Sequence, residues 1–170
     1  MTENNDDLEK YFDSKEYITQ IIGRDNDTEA EPADENKITN LISLLTDPAN
    51  KSLKESTLLT LKTEKGHELL LVAIASPEGK AQRHKLVAAC WESEINFSNY
   101  LPFFILLALD NDYLISLEAI TVISTMEGPF NKDHVTEGIK KVKAAKKDIT
   151  TEKVVLLNDL VVTLEGFLTE

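Results

Sequence analysis

Three polar turns punctuate the chain at a regular interval. They begin at Asp47, Ser76 and Asp110, spaced 29 and 34 residues apart. Each separates a leucine-rich run from a second run of helical periodicity. Two of them place a proline next, at Pro48 and Pro77. That pair reads as a helix N-cap followed by the first helical position. The cap oxygen accepts an orphan amide, and proline has no amide to leave unsatisfied. Such a chain is expected to stack helical hairpins, because each hairpin alone buries only part of its apolar surface.

The remaining pattern agrees. Ile38, Leu41, Ile42 and Leu45 form one helical stripe from Asn36 onward. Further helices are predicted over 49–63, 67–75, 78–93, 97–109, 112–127, 132–146 and 151–168. Gly66 and the Gly128–Pro129 pair supply two of the breaks. In the third turn, Asp110 is expected to cap the helix and Asp112 to add a first-turn charge. No run alternates with period two, so the chain reads as all-α.

The N-terminal region differs. Residues 1–35 hold twelve acids and three bases, a net of -9, of a total of -12 for all 170 residues. Tyr17, Ile18, Ile21 and Ile22 share one face of a predicted helix over 8–22. Asp13 and Glu16 resemble a capping box, and Gly23 a stop. Residues 24–35 carry no apolar pattern and are expected to form a flexible acidic linker. Two regions follow from this: an acidic segment over 1–35 and a helical-repeat domain over 36–170.

From Tyr100 to Ile123, the residues Leu101, Pro102, Leu106, Leu107, Asp110, Asp112, Ala119 and Ile123 are spaced as in a HEAT-type hairpin. The layout over about 36–168 resembles the HEAT and armadillo-like helical-repeat family, and is similar to small bacterial members of it. Lys54 and Arg83 fit that family's basic position early in the second helix, whereas Ser116 departs from it. Ser76 departs from its turn aspartate. The resemblance implies a right-handed α-α superhelix of about four hairpins, whose second helices line a concave protein-binding face.

Composition narrows the function. A pI near 4.7 argues against general nucleic-acid binding, which replaces counterions with many Lys and Arg. One cysteine rules out an intramolecular disulfide and a multi-cysteine zinc site. Cys90 sits in the apolar run Leu86–Trp91 and reads as core. His67, His84 and His134 form no metalloprotease pair. His134 with Glu137 lacks a third ligand, so neither metal nor other cofactor is expected. No glycine-rich phosphate loop or nucleophile elbow occurs. Carboxylates pair at Glu92 with Glu94 and at Asp110 with Asp112, yet no buried acid–base pair is indicated. The chain is therefore expected not to be an enzyme. The acidic start has no leader-like apolar run, and no stretch is long enough to span a bilayer. A cytoplasmic location without membrane contact is expected.

A protein-interaction scaffold is the expected role, with a protein or peptide partner. A nucleic-acid-acting or other enzyme on a helical-repeat fold is the alternative, and pairing with a second copy through exposed ends is a further expectation. Candidate contact residues are Lys85, Trp91 and Glu92 in one second helix and Glu118, Thr121 and Thr125 in the next. Trp91 stands out because tryptophan is enriched at binding hot spots. Almost everything else in the helix over 112–127 is apolar, which predicts a helix packed on most of its circumference. Lys140, Lys141, Lys143, Lys146 and Lys147 form a candidate basic docking face for an acidic partner or for the protein's own tail.

Overall fold

A computed structural model describes residues 35–64, 66–110, 112–145 and 150–169. The expectations for the helix over 8–22, for the Asp13–Glu16 cap, for Gly23 and for the linker up to residue 34 lie outside the described residues. So do Lys146 and Lys147. Every regular element among the described residues is helical. The eight α-helices are α1 (Glu35–Thr46), α2 (Lys51–Thr63), α3 (His67–Ala75), α4 (Arg83–Glu92), α5 (Leu101–Ala108), α6 (Tyr113–Ser124), α7 (Lys132–Ala145) and α8 (Thr151–Phe167). Single 3-10 turns precede α2, α4 and α5. Consecutive helices pair as α1 with α2, α3 with α4, α5 with α6 and α7 with α8.

The helices form two compact units, one ending at Ile95 and the other starting at Asn96. In the first, α1 packs on α2, α3 and α4. Its stripe Ile38, Leu41, Ile42 and Leu45 is buried, as is expected for residues at i, i+3, i+4 and i+7. Leu70, Ile74, Leu86 and Cys90 complete this core. Helix α2 is the exception, since only Leu61 of its residues is buried. Two ion pairs tie it to the far end of α4: Lys54 with Glu92 at 2.6 Å, and Lys62 with Glu94.

In the second unit α5 packs on α6 and α7, while α8 packs on α7 and α6. First helix thus meets first helix, and second meets second. Phe104 sits edge-on to both Phe97 and Phe103, with ring centroids 5.3 Å apart in each pair. Gly138 lets α7 approach α5, because a Cβ there would lie 2.3 Å from Ile105 Cδ1. Phe130 stacks on Phe167 at 3.9 Å and ties the α6–α7 connection to the end of α8.

Two turn expectations need correction. Ser76 does not start a helix at 78. Its hydroxyl accepts from Gly79 N at 3.1 Å and donates to Ala73 O at 3.0 Å, which closes a turn, and α4 begins only at Arg83. The reason is a close crossing: a Cβ on Gly79 would lie 1.9 Å from Ala73 O, so the chain runs over the end of α3 before it can coil. In the next turn the cap falls on Asp112 and not on Asp110. Asp110 Oδ1 accepts from Asp112 N at 2.9 Å. This local bond leaves Asp112 extended at the cap, where its carboxylate accepts from Leu114 N at 2.8 Å and from Ile115 N at 3.3 Å. Helix α4 ends at Glu92, and two residues on Glu94 takes a left-handed φ of 55° usually left to glycine or asparagine.

Candidate functional site

Helix α4 carries three of the candidate contact residues, and two of them are engaged within their own unit. Lys85 Nζ donates to Thr46 O at 3.2 Å, which puts a cation at the C-terminal end of α1 where the helix dipole favours it. Glu92 pairs with Lys54 of α2. Trp91, between them in sequence, keeps about a third of its surface exposed. These two polar side chains therefore clamp the α1–α2 hairpin to α4.

Glu118, Thr121 and Thr125 share one side of α6, as the spacing requires. The open side is wider than expected, and it is not a polar strip. Tyr113 and Leu114 are exposed and Leu117 is half-buried, so the side of α6 opposite its buried Ile115, Ala119, Val122 and Ile123 carries apolar as well as polar residues. At about 100° per residue, Leu114, Leu117, Glu118, Thr121 and Thr125 fall within one arc of roughly 100°. The hydroxyls on this side turn inward. Thr121 Oγ1 donates to Leu117 O at 2.9 Å, and Thr125 Oγ1 to Val122 O at 2.8 Å. These bonds occupy the hydroxyl donors, so the face has fewer of them to offer a partner than its composition suggests. The α4 residues belong to the unit ending at Ile95, and the α6 residues to the unit starting at Asn96.

Lys140, Lys141 and Lys143 lie exposed on α7, whose opposite side buries Val135, Gly138 and Val142. Lys143 Nζ donates to Glu165 Oε1 at 2.9 Å, so one of the three charges is matched by α8.

Two titratable groups lie deep in the fold. Burial pushes the Cys90 thiol far above its ordinary value, in keeping with its reading as core. Lys153 at the start of α8 is also buried. Loss of solvent lowers its pKa most, against the attraction of Asp110 and then Asp112, which favours the charged form. Among the described residues no group of three His, Cys, Asp or Glu is arranged to hold a metal ion, and no helix is long and apolar enough to cross a membrane.

The most informative feature is one the sequence patterning did not pick out. Among the described residues the large apolar side chains left exposed are Leu53, Leu59, Trp91, Tyr113, Leu114, Val155 and Val162, each between 37% and 69% accessible. All seven sit on α2, α4, α6 or α8, the second helices of their hairpins. One signal was available: Leu58 and Leu59 are adjacent, about 100° apart on a helix, so a narrow core contact cannot cover both. No protein-family model matches the chain, and no curated protein or solved structure shows significant similarity to it.

Proposed function

We infer that this protein is a non-enzymatic protein-interaction scaffold of the HEAT or armadillo type, which binds a protein or peptide along the faces of its second helices. The observation that carries this reading is the segregation of exposed apolar side chains. Scattered surface leucines are ordinary and need no explanation. Confinement of all seven to α2, α4, α6 and α8 is a pattern, and second helices line the binding face in the family this chain resembles. The pairing of α5 with α7 and of α6 with α8 supports the same reading in the second unit.

The chemistry of these faces also favours one kind of partner. The α6 face offers Tyr113, Leu114 and Leu117 with Glu118 as its one charge, and on α4 Lys85 and Glu92 are already engaged. A partner with an apolar helix or strand edge suits this better than a basic segment does.

The test is capture from a native lysate with mass-spectrometric identification, on the intact chain and on a W91S/L114S variant. Leu114 is half exposed, and Trp91 keeps about a third of its surface open, so a thermal melt run beside the capture shows that the variant is folded. A stoichiometric protein bound by the wild type and lost from the variant supports the scaffold. A partner retained by the variant, or nucleic acid in its place, overturns it.

A further inference from the structure

Helix α2 is held in its unit differently from its neighbours. Of its 13 residues only Leu61 is buried, whereas α3, with 9, buries Leu70, Leu71, Ala73, Ile74 and Ala75. Lys54, Thr57 and Leu58 are half-buried, and every other residue of α2 is exposed. Apolar burial therefore contributes little to its docking. Nor is the sequence a strong helix former. Ser52, Ser56, Thr57, Thr60 and Thr63 all lower its propensity. Leu53 O accepts from both Ser56 Oγ and Thr57 Oγ1 at 2.8 Å, Ser56 O from Thr60 Oγ1 at 2.9 Å and Thr60 O from Thr63 Oγ1 at 3.0 Å. Such bonds compete with the helical amides and loosen the ladder. The first turn holds no acid, and Asn50 makes no side-chain capping bond, since its amide donates to Ser43 O and Oγ at 3.2 Å. A helix of this length is marginal in water by itself.

Charge is what joins α2 to α4. Lys54 pairs with Glu92 at 2.6 Å, and Lys62 with Glu94. The four side chains are between 27% and 75% accessible, so dissolved salt reaches both pairs. The other helices of the unit have contacts of their own, because α1 packs directly on α3 and α4.

We propose that α2 is an order–disorder switch set by ionic strength: it unwinds as a unit while α1, α3 and α4 stay folded, and its two ion pairs to α4 decide how often. Segments with few buried apolar contacts are the ones that open below the global unfolding free energy. Each opening releases Glu92 and Glu94 together, so the two carboxylates are free of their lysines only in the open state. This goes beyond the scaffold reading and does not rest on it.

Native-state hydrogen exchange on the intact chain, read by mass spectrometry, tests it. Amides of α2 are expected to exchange at least about a hundredfold faster than those of α1 and α3. In a K54M/K62M variant, which keeps the aliphatic stems, α2 should exchange about fivefold faster again. Exchange in α1, α3, α5 and α6 should be unchanged, which shows that the variant is folded. About 1 M sodium chloride should speed α2 in the wild type and leave it unaltered in the variant. Exchange of α2 in step with α1 and α3 overturns the proposal, as does a variant that speeds all the helices of the unit alike. An α2 rate indifferent to the double substitution, or to salt in the wild type, overturns it as well.

Discussion

Arg83 Nε donates to the main-chain oxygen of Ile74 at 3.0 Å. The first residue of α4 thereby satisfies one of the four carbonyls that α3 leaves open at its end. Ser116 makes a related contact one hairpin later, where its hydroxyl donates to Asp110 O at 3.0 Å. A guanidinium and a hydroxyl hold their turns shut in similar ways, so the departure of Ser116 from the basic position leaves its turn closed. Arg83 is buried, so its loss strands a buried acceptor. R83M is expected to cost about 2 kcal/mol, with partial recovery in R83K, as read by chemical denaturation.

The two glycines Gly79 and Gly166 should respond to alanine in opposite directions. A Cβ at Gly79 meets a backbone oxygen at 1.9 Å, and backbone cannot step aside cheaply. G79A is expected to destabilise by about 2–3 kcal/mol. At Gly166 a Cβ meets nothing within 4 Å, in a helical position. G166A should raise stability by about 0.5–1 kcal/mol, because alanine gives up less conformational freedom on folding. Thermal melts of the two variants check both signs.

The Lys62–Glu94 pair predicts an acid dependence. Hydrogen bonding and charge from Lys62 hold the Glu94 carboxyl below its ordinary 4.5. A depressed carboxylate contributes stability that is present above its unfolded value and lost as pH falls through the folded one. The difference in melting temperature between wild type and K62M should therefore be positive at pH 6 and close towards pH 3. Added salt should narrow it too, since both side chains face solvent.

Cys90 should be inert in the native protein. It is fully buried, its Sγ lies 3.6 Å from Leu86 O, and burial disfavours the thiolate. A thiol reagent at pH 8 is expected to label it only at the rate of unfolding, with full labelling in denaturant. Rapid labelling of the folded chain would contradict the structure.

Much of this architecture is legible in the sequence where local chemistry decides it. The helix over 67–75 begins after Gly66 and ends at Ser76 as its pattern requires, and Asp47 caps its turn through Ala49 N at 2.9 Å. The α1 stripe is buried because four apolar residues share one side. Boundaries fail where distant backbone intrudes, as at Gly79, whose steric conflict with Ala73 no propensity scale contains. The candidate site was legible only in part. Type and spacing single out Trp91, Thr121 and Thr125, of which Trp91 and Thr125 are exposed and Thr121 half-buried, but the engagement of Lys85 and Glu92 depends on where α1 and α2 lie. Leu53 and Leu61 are chemically identical, and packing alone makes one exposed and the other buried.

Lys153 offers a test at the alkaline end of the pH scale. Its pKa lies below the ordinary 10.5, so burial of the charge outweighs the attraction of Asp110 and Asp112. The folded state then holds fewer protons than the unfolded chain in the window below 10.5, and stability rises with pH across that window. K153M, which keeps the length without the charge, should be as stable as the wild type at neutral pH or more stable by about 1 kcal/mol. That advantage should shrink as pH approaches 10.5, which denaturation at pH 7 and pH 10 would reveal.

The placement of Lys153 also sets an order of events at the ribosome. It follows Asp110 by about 40 residues, on the last described helix. At ordinary elongation rates those residues take about 2–8 s to be made. Throughout that interval the α5–α6 turn already has the groups that close it, the Asp110 carboxylate on Asp112 N and the Ser116 hydroxyl on Asp110 O. A nascent chain stalled before α8 would thus hold a third hairpin whose turn is shut while the surfaces of α6 and α7 that α8 packs on still face solvent.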